Sequence, residues 1–209
     1  MPRKIIRIGI IDYAASNLRS VEKAFTHLGA DVVVLSDSKE FEKLDALIFP
    51  GQGSNDSAMQ ALGRASLVQP IIDFVKNDRP FLGICMGLQL LMQNSEEGIE
   101  PCLGLFEGNV KRFYGKMKIP HMGWNQVVPT RKHQAFDNLP DNPYFYFVHS
   151  YYADPLDKNL VLATTDYGDK FASAISFGNL VAVQFHPEKS GSIGLEFYRN
   201  FLQFVKVNI

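Results

Sequence analysis

Arg79-Pro-Phe-Leu-Gly-Ile-Cys-Met-Gly-Leu-Gln-Leu-Leu-Met92 decides the reading of this chain: an apolar run breaks at a glycine-flanked cysteine, and helical spacing follows at once. The stretch predicts a strand over 80–84 that delivers Cys85 into a sharp turn, then an amphipathic helix. Gly83 and Gly87 let the chain turn there without a Cβ clash. A sulfur at such a turn stands at a helix N-terminus, where unpaired N–H groups and the helix dipole favour the thiolate. Position thus marks Cys85 as a nucleophile of the strand–turn–helix kind, in which serine is the commoner residue. Cys102, the other cysteine, has neither a strand before it nor a helix after it, and reads as a small buried hydrophobe.

Working outward from Cys85, residues 5–11 are apolar at nearly every position, which predicts a strand buried on both faces. Helical spacing follows over 16–28, then strands over 31–35 and 46–49 and a helix over 67–76. Such alternation predicts an α/β fold, a doubly wound, mostly parallel sheet with helices on both faces. After about residue 104 the texture changes. The segments 105–114, 126–130, 144–152, 161–165, 172–177 and 180–185 are strand-like with short turns between them, and predict antiparallel strands in the second half. An amphipathic helix over 192–205 closes the chain. A length of 209 residues fits one domain, 1–209.

Lysine plus arginine number 21 against 22 aspartate plus glutamate, with no dense basic run, so charge gives no support for a nucleic-acid partner. Two cysteines do not make a disulfide framework and point to a reducing compartment, the cytoplasm. Arg7 and Asp12 interrupt the N-terminal apolar stretch, leaving no signal-peptide core. No segment approaches the ~18 apolar residues of a membrane span. Neither a metal nor a cofactor is expected.

In an open α/β sheet, ligands sit beyond the carboxyl ends of the strands. Cys85 is at such an end, and so is Pro50-Gly51-Gln52-Gly53. Taken alone, that loop is an ordinary turn after a strand. Placed one strand before the nucleophile, its glycines free the backbone to point N–H groups into a cavity, which suits an oxyanion hole completed by the N–H of Met86. A thiolate attacking a carbonyl carbon also needs a proton donor for the departing group. His186 ends the apolar strand over 180–185, at the same sheet edge as Cys85, and Glu188 stands two residues on to fix its tautomer. Cys85, His186 and Glu188 are the expected triad. His27 and His133 lie among polar positions and read as incidental.

Pro50-Gly-Gln-Gly53, Gly83-Ile-Cys-Met-Gly-Leu-Gln89 and Phe185-His-Pro-Glu188 resemble the three marks of the class I (triad) glutamine amidotransferases, a flavodoxin-like family. Pro120-His-Met-Gly-Trp-Asn125, Tyr146-Phe-Val-His-Ser-Tyr-Tyr152 and His186-Pro-Glu-Lys-Ser190 narrow the resemblance to the glutaminase subunits of imidazole glycerol phosphate synthase. Where that family often carries a small apolar residue, this chain has Gln52.

The resemblance implies a γ-glutamyl thioester on Cys85, an oxyanion held by backbone N–H groups of Met86 and Gln52, and release of ammonia and glutamate. It implies that Gly51, Gly53, Gln89, Glu97, Ser150 and Tyr151 hold the glutamine. Gln89, four residues after Cys85, also falls on the same helix face. Because the length leaves no room for a second domain, the ammonia acceptor is expected on another chain, which the resemblance names as a (β/α)8-barrel cyclase. Asn17, His121, Trp124, Asn125, Tyr146 and Lys189 are the expected interface with it. Three rival readings keep parts of this pattern: a glutaminase for pyridoxal phosphate, purine or anthranilate synthesis, a stand-alone γ-glutamyl cysteine hydrolase, and a non-enzymatic redox relative.

Overall fold

A computed structural model describes residues 5–13 and 18–209. The first half runs β1 (Arg7–Ile11), α1 (Leu18–His27), β2 (Asp31–Leu35), β3 (Ala46–Gly51), α2 (Asn55–Arg64), α3 (Val68–Lys76), β4 (Phe81–Cys85) and α4 (Met86–Gln89). The second half is strand-rich: β5 (Asn94–Ser95), β6 (Gly108–Arg112), β7 (His121–Gln126), β8 (Val128–Pro129), β9 (Tyr144–His149), β10 (Tyr151–Pro155), β11 (Val161–Tyr167), β12 (Asp169–Phe177) and β13 (Leu180–Val183). The last element is α5 (Gly191–Val207).

An eight-stranded sheet in the order β2-β1-β3-β4-β13-β12-β11-β8 organises the molecule. Its first five strands are parallel, and β13 then pairs antiparallel with β12. The expected parallel sheet with antiparallel strands in the second half is what forms. From β1 the chain crosses to β2 on one side and returns to β3 on the other, which leaves a crevice at the carboxyl ends of the strands. Alternate residues of each strand feed two cores: Ile8, Ile10, Ile48 and Leu82 pack with Phe25, Phe197 and Phe201, while Leu47, Phe49 and Phe81 pack with Leu62, Ile71 and Phe74. Burial on both faces explains why these strands read as continuous apolar runs.

Several elements depart from expectation for identifiable reasons. Met86 to Met92 are all buried, so the segment after Cys85 has no polar face, and its α-helix ends after one turn at Gln89. Helix α2 went unread because only Asn55, Ala58 and Leu62 are buried; Ser54 caps it by accepting from the Ser57 N–H. The strand expected over 126–130 begins instead at His121, and Val128–Pro129 forms the separate β8. The segment 144–152 is two strands that meet at Ser150, β9 pairing with β7 and β10 with β6. Within the helix expected over 16–28, residues 16 and 17 lie outside the described residues.

Candidate active site

The turn after β4 is made by Cys85 itself, with φ 54° and ψ −104°. A side chain rarely adopts that conformation, and holding it costs about 1–3 kcal/mol. Gly83 and Gly87 serve close approach rather than the turn. A Cβ on Gly87 would strike the Phe49 carbonyl oxygen, and one on Gly83 would come to 2.8 Å from the Gly87 carbonyl oxygen and 2.9 Å from Ala182 Cβ. Strand β3, strand β4 and α4 therefore pack backbone against backbone and hold the strained residue in place.

Strand β13 pairs with β4 in register Val183↔Ile84, so the segment bearing His186 emerges beside the one bearing Cys85. Ser190 fixes that segment: its hydroxyl donates to the His186 carbonyl at 2.7 Å and accepts from the Tyr146 N–H at 3.0 Å. His186 Nδ1 lies 2.7 Å from Glu188 Oε1, and the other Glu188 oxygen accepts from the Tyr198 hydroxyl at 3.1 Å. A carboxylate on Nδ1 puts the proton there and leaves Nε2 as the nitrogen turned away from the carboxylate. Burial is the largest single influence on His186 and lowers its pKa. The Cys85 sulfur and the Glu188 carboxylate together outweigh it and raise the pKa to about 10. Nε2 is buried and, among the described residues, makes no aligned hydrogen bond. The sulfur sits near enough to favour a charged ring both by its charge and as a hydrogen-bond partner, though outside strict alignment with Nε2.

Beside Cys85 is a cavity of ≈ 260 Å³. Of the residues expected around glutamine, Gly53, Gln89, Glu97, Ser150 and Tyr151 line it, together with Gln52 and Met86. Gly51 lies under the wall; its missing side chain makes room for the Tyr13 hydroxyl, which a Cβ there would strike. Burial first, and the Glu97–Asp56 repulsion, raise the Glu97 pKa, while a hydrogen bond from the Asn55 N–H at 2.8 Å opposes them.

The expected interface residues divide. Trp124 is 56 % exposed and meets Tyr146 edge-on, with ring centroids 6.2 Å apart. Lys189 lines the cavity and lies over the Tyr146 ring at 6.0 Å. His121 is a correction: at 2 % exposure it is stacked between Phe147 and Tyr167 and offers no side-chain surface to a partner. Asn125 is half-buried, and its amide bonds inward to His121 and to the Asp166 carbonyl. Asn17 lies outside the described residues. His133, read as incidental, caps the short helix Gln134–Phe136 by accepting from the Ala135 N–H.

Three residues escaped the sequence reading. Gln184 is fully buried and donates to Cys85 Sγ at 3.5 Å while its oxygen accepts from Gln89 Nε2 at 3.0 Å. A lone glutamine in an apolar strand, two positions before His186, was the available signal. His149 lines the cavity. Tyr13 carries a buried hydroxyl with no partner among the described residues, and its pKa is raised by burial and by the Cys85 sulfur. Cys102 is buried, with its thiol 2.9 Å from Asn55 Oδ1, and burial above all pushes its pKa up to about 12.

A strained cysteine elbow, a histidine oriented by a buried carboxylate and an open α/β sheet define a cysteine amidohydrolase class of site. The family model described as glutamine amidotransferase class-I matches residues 9–204. The chain is 46% identical over 197 residues to the imidazole glycerol phosphate synthase subunit HisH of Dehalococcoides mccartyi, covering 94% of this chain and 96% of that one. With the same subunit of Nostoc punctiforme it is 46% identical over 206 residues, covering 97% and 98%. The fold also matches a glutamine amidotransferase of Thermotoga maritima, with TM-score 0.71 and 16% identity over 98% and 100% of the two chains. PurLQS from Thermotoga maritima matches with TM-score 0.73 and 16% identity over 98% and 99%. The chain belongs to the class-I glutamine amidotransferases and, within them, to the HisH subunits of imidazole glycerol phosphate synthase.

Among the described residues, no group of three or more His, Cys, Asp or Glu side chains is arranged to hold a metal ion, and no helix is long and apolar enough to cross a membrane.

Proposed function

We propose that Cys85, His186 and Glu188 are the catalytic triad with which this chain hydrolyses glutamine, and that the ammonia passes to a (β/α)8-barrel cyclase in histidine biosynthesis. The Cys85 thiolate attacks the side-chain amide carbon of glutamine. Backbone N–H groups of Met86 and Gln52 stabilise the oxyanion. His186 gives its Nε2 proton to the amide nitrogen, the C–N bond breaks, and ammonia leaves a γ-glutamyl thioester. Neutral His186 then takes a proton from water as the water attacks the thioester. The C–S bond breaks, glutamate departs, and thiolate and imidazolium are restored. Gly51, Gly53, Gln89, Glu97, Ser150 and Tyr151 shape the glutamine pocket. The observation that carries this reading is the 2.7 Å bond between His186 and Glu188 at the strand end next to Cys85.

The client follows from the 46% identity to HisH over 94% of this chain. The outer face of the β7–β9 pair supports the docking role: Met122, Trp124 and Tyr144 are large, apolar and exposed beside Tyr146 and the cavity-lining Lys189. Asn17 completes the proposed interface, whereas the Asn125 side chain is turned to the other face of β7, toward His121. Cys85→Ala tests the assignment in the complex with the cyclase. Glutamine-dependent synthesis falls below detection while synthesis from ammonium salts persists; loss of both places Cys85 in a structural role.

A further inference from the structure

Two buried histidines that take no part in the chemistry form a head-to-tail chain behind the pocket. His149 Nδ1 lies 2.8 Å from the Tyr151 carbonyl oxygen, an atom that only accepts, so Nδ1 carries the proton. In the neutral ring Nε2 is then an acceptor. It is met at 3.0 Å by His121 Nδ1, which must therefore be the donor. His121 Nε2 accepts in turn from Asn125 Nδ2 at 3.2 Å, and the second Asn125 N–H reaches the Asp166 carbonyl at 2.9 Å. One proton assignment satisfies every member.

The chain has two informative ends. At the inner end, the Tyr151 carbonyl also accepts from Gln89 Nε2 at 2.8 Å, and Gln89 bonds Gln184, which donates to the Cys85 sulfur. At the outer end stands β7, whose opposite face presents Met122 and Trp124 to solvent. We propose that His121 and His149 are positioning residues that couple the docking strand β7 to the Tyr151–Gln89–Gln184 wall behind the nucleophile. The proposal rests on the glutaminase reading and adds to it the route by which an event on β7 reaches the sulfur. Docking that moves β7 shifts Asn125, and the fixed tautomers transmit the shift because neither ring can reverse its donor without breaking the bond to Tyr151.

Two substitutions test the coupling in the complex with the cyclase. His121→Phe keeps the stack between Phe147 and Tyr167 but removes both hydrogen bonds. His149→Asn keeps a donor near the Tyr151 carbonyl but cuts the link to His121. Each is expected to lower the ratio of partnered to unpartnered glutamine turnover about tenfold, with ammonium-dependent synthesis unchanged. Folded variants that keep both the wild-type ratio and the wild-type KM for glutamine overturn the proposal. Nitrogen-15 spectra of the histidine-labelled wild type give a second measure, free of any folding defect. Both rings should be neutral with the proton on Nδ1, and a protonated Nε2 in either would overturn the proposal. A wild-type complex that uses ammonium but not glutamine would refute the functional reading instead, leaving the tautomer result intact.

Discussion

The elbow at Cys85 and the ribbon of β7 and β9 border one cavity, yet they treat polar groups in opposite ways. At the elbow, His186 Nε2 and the Tyr13 hydroxyl are buried without an aligned partner among the described residues, and Cys85 holds a strained backbone. In the ribbon, His121 and His149 use both ring nitrogens in hydrogen bonds, and Asn125 uses its whole amide. A buried group left unpaired costs about 1–3 kcal/mol. That free energy is tolerated where a reacting atom is to bind, and avoided where the task is to keep a wall in place.

Glu188→Gln bears on the contrast with the largest expected effect. It removes the charge that orients His186 while keeping the shape, so kcat for glutamine should fall by ~10²–10⁴-fold. The loss of one influence that holds the His186 pKa near 10 should also move the alkaline limb of the pH profile downward. Steady-state kinetics across pH measures both, and an unchanged kcat would mean that the Glu188 carboxylate does not orient the ring for catalysis.

Acid unfolding tests the ribbon. Burial lowers the pKa of His121 to about 4 and of His149 to about 3. Unfolded histidine titrates near ~6.5, so between these values the unfolded chain binds protons that the fold refuses. Stability from these groups is thus complete above that point and declines as pH falls, by roughly 2 kcal/mol per histidine at pH 5. His186 has the opposite sign: its contribution is full throughout this acid range and is lost progressively as pH rises from ~6.5 through about 10. Urea titrations should show a shallower acid loss in His121→Phe, and an equal loss would place the acid sensitivity elsewhere.

The smallest effect on the free chain is expected from Trp124→Ala, on the ribbon's outer face. Stability should change by no more than ~0.5 kcal/mol, while affinity for the cyclase drops. A thermal melt and a binding titration separate the two, and a large loss of stability would mean that the outer face is packed rather than presented.

The same contrast explains what could be read from the residues alone. Strands β1, β3 and β4 bury both faces, so apolar runs announce them, and the strand ends then place Cys85 and the loop over 50–53. The proposed triad was legible because its members sit at or just beyond such ends. Strand β7 was hidden because its pattern is inverted: buried His121 is polar, while outward Met122 and Trp124 are apolar. The proposed docking face and the inner hydrogen-bond chain both oppose the usual rule of apolar inside and polar outside. The glycines of the elbow were recognised, but their task was not, since only coordinates distinguish close approach to Phe49 from a turn. Gln184 looked like an interruption in an apolar strand because its partners, Gln89 and Cys85, are remote in sequence.

Cys102 has a practical consequence. Its thiol is buried against Asn55 with a pKa near 12, so at neutral pH it is chemically silent. An electrophile shaped like glutamine then finds a single sulfur to modify, and one equivalent of label per chain counts the working sites in a preparation directly.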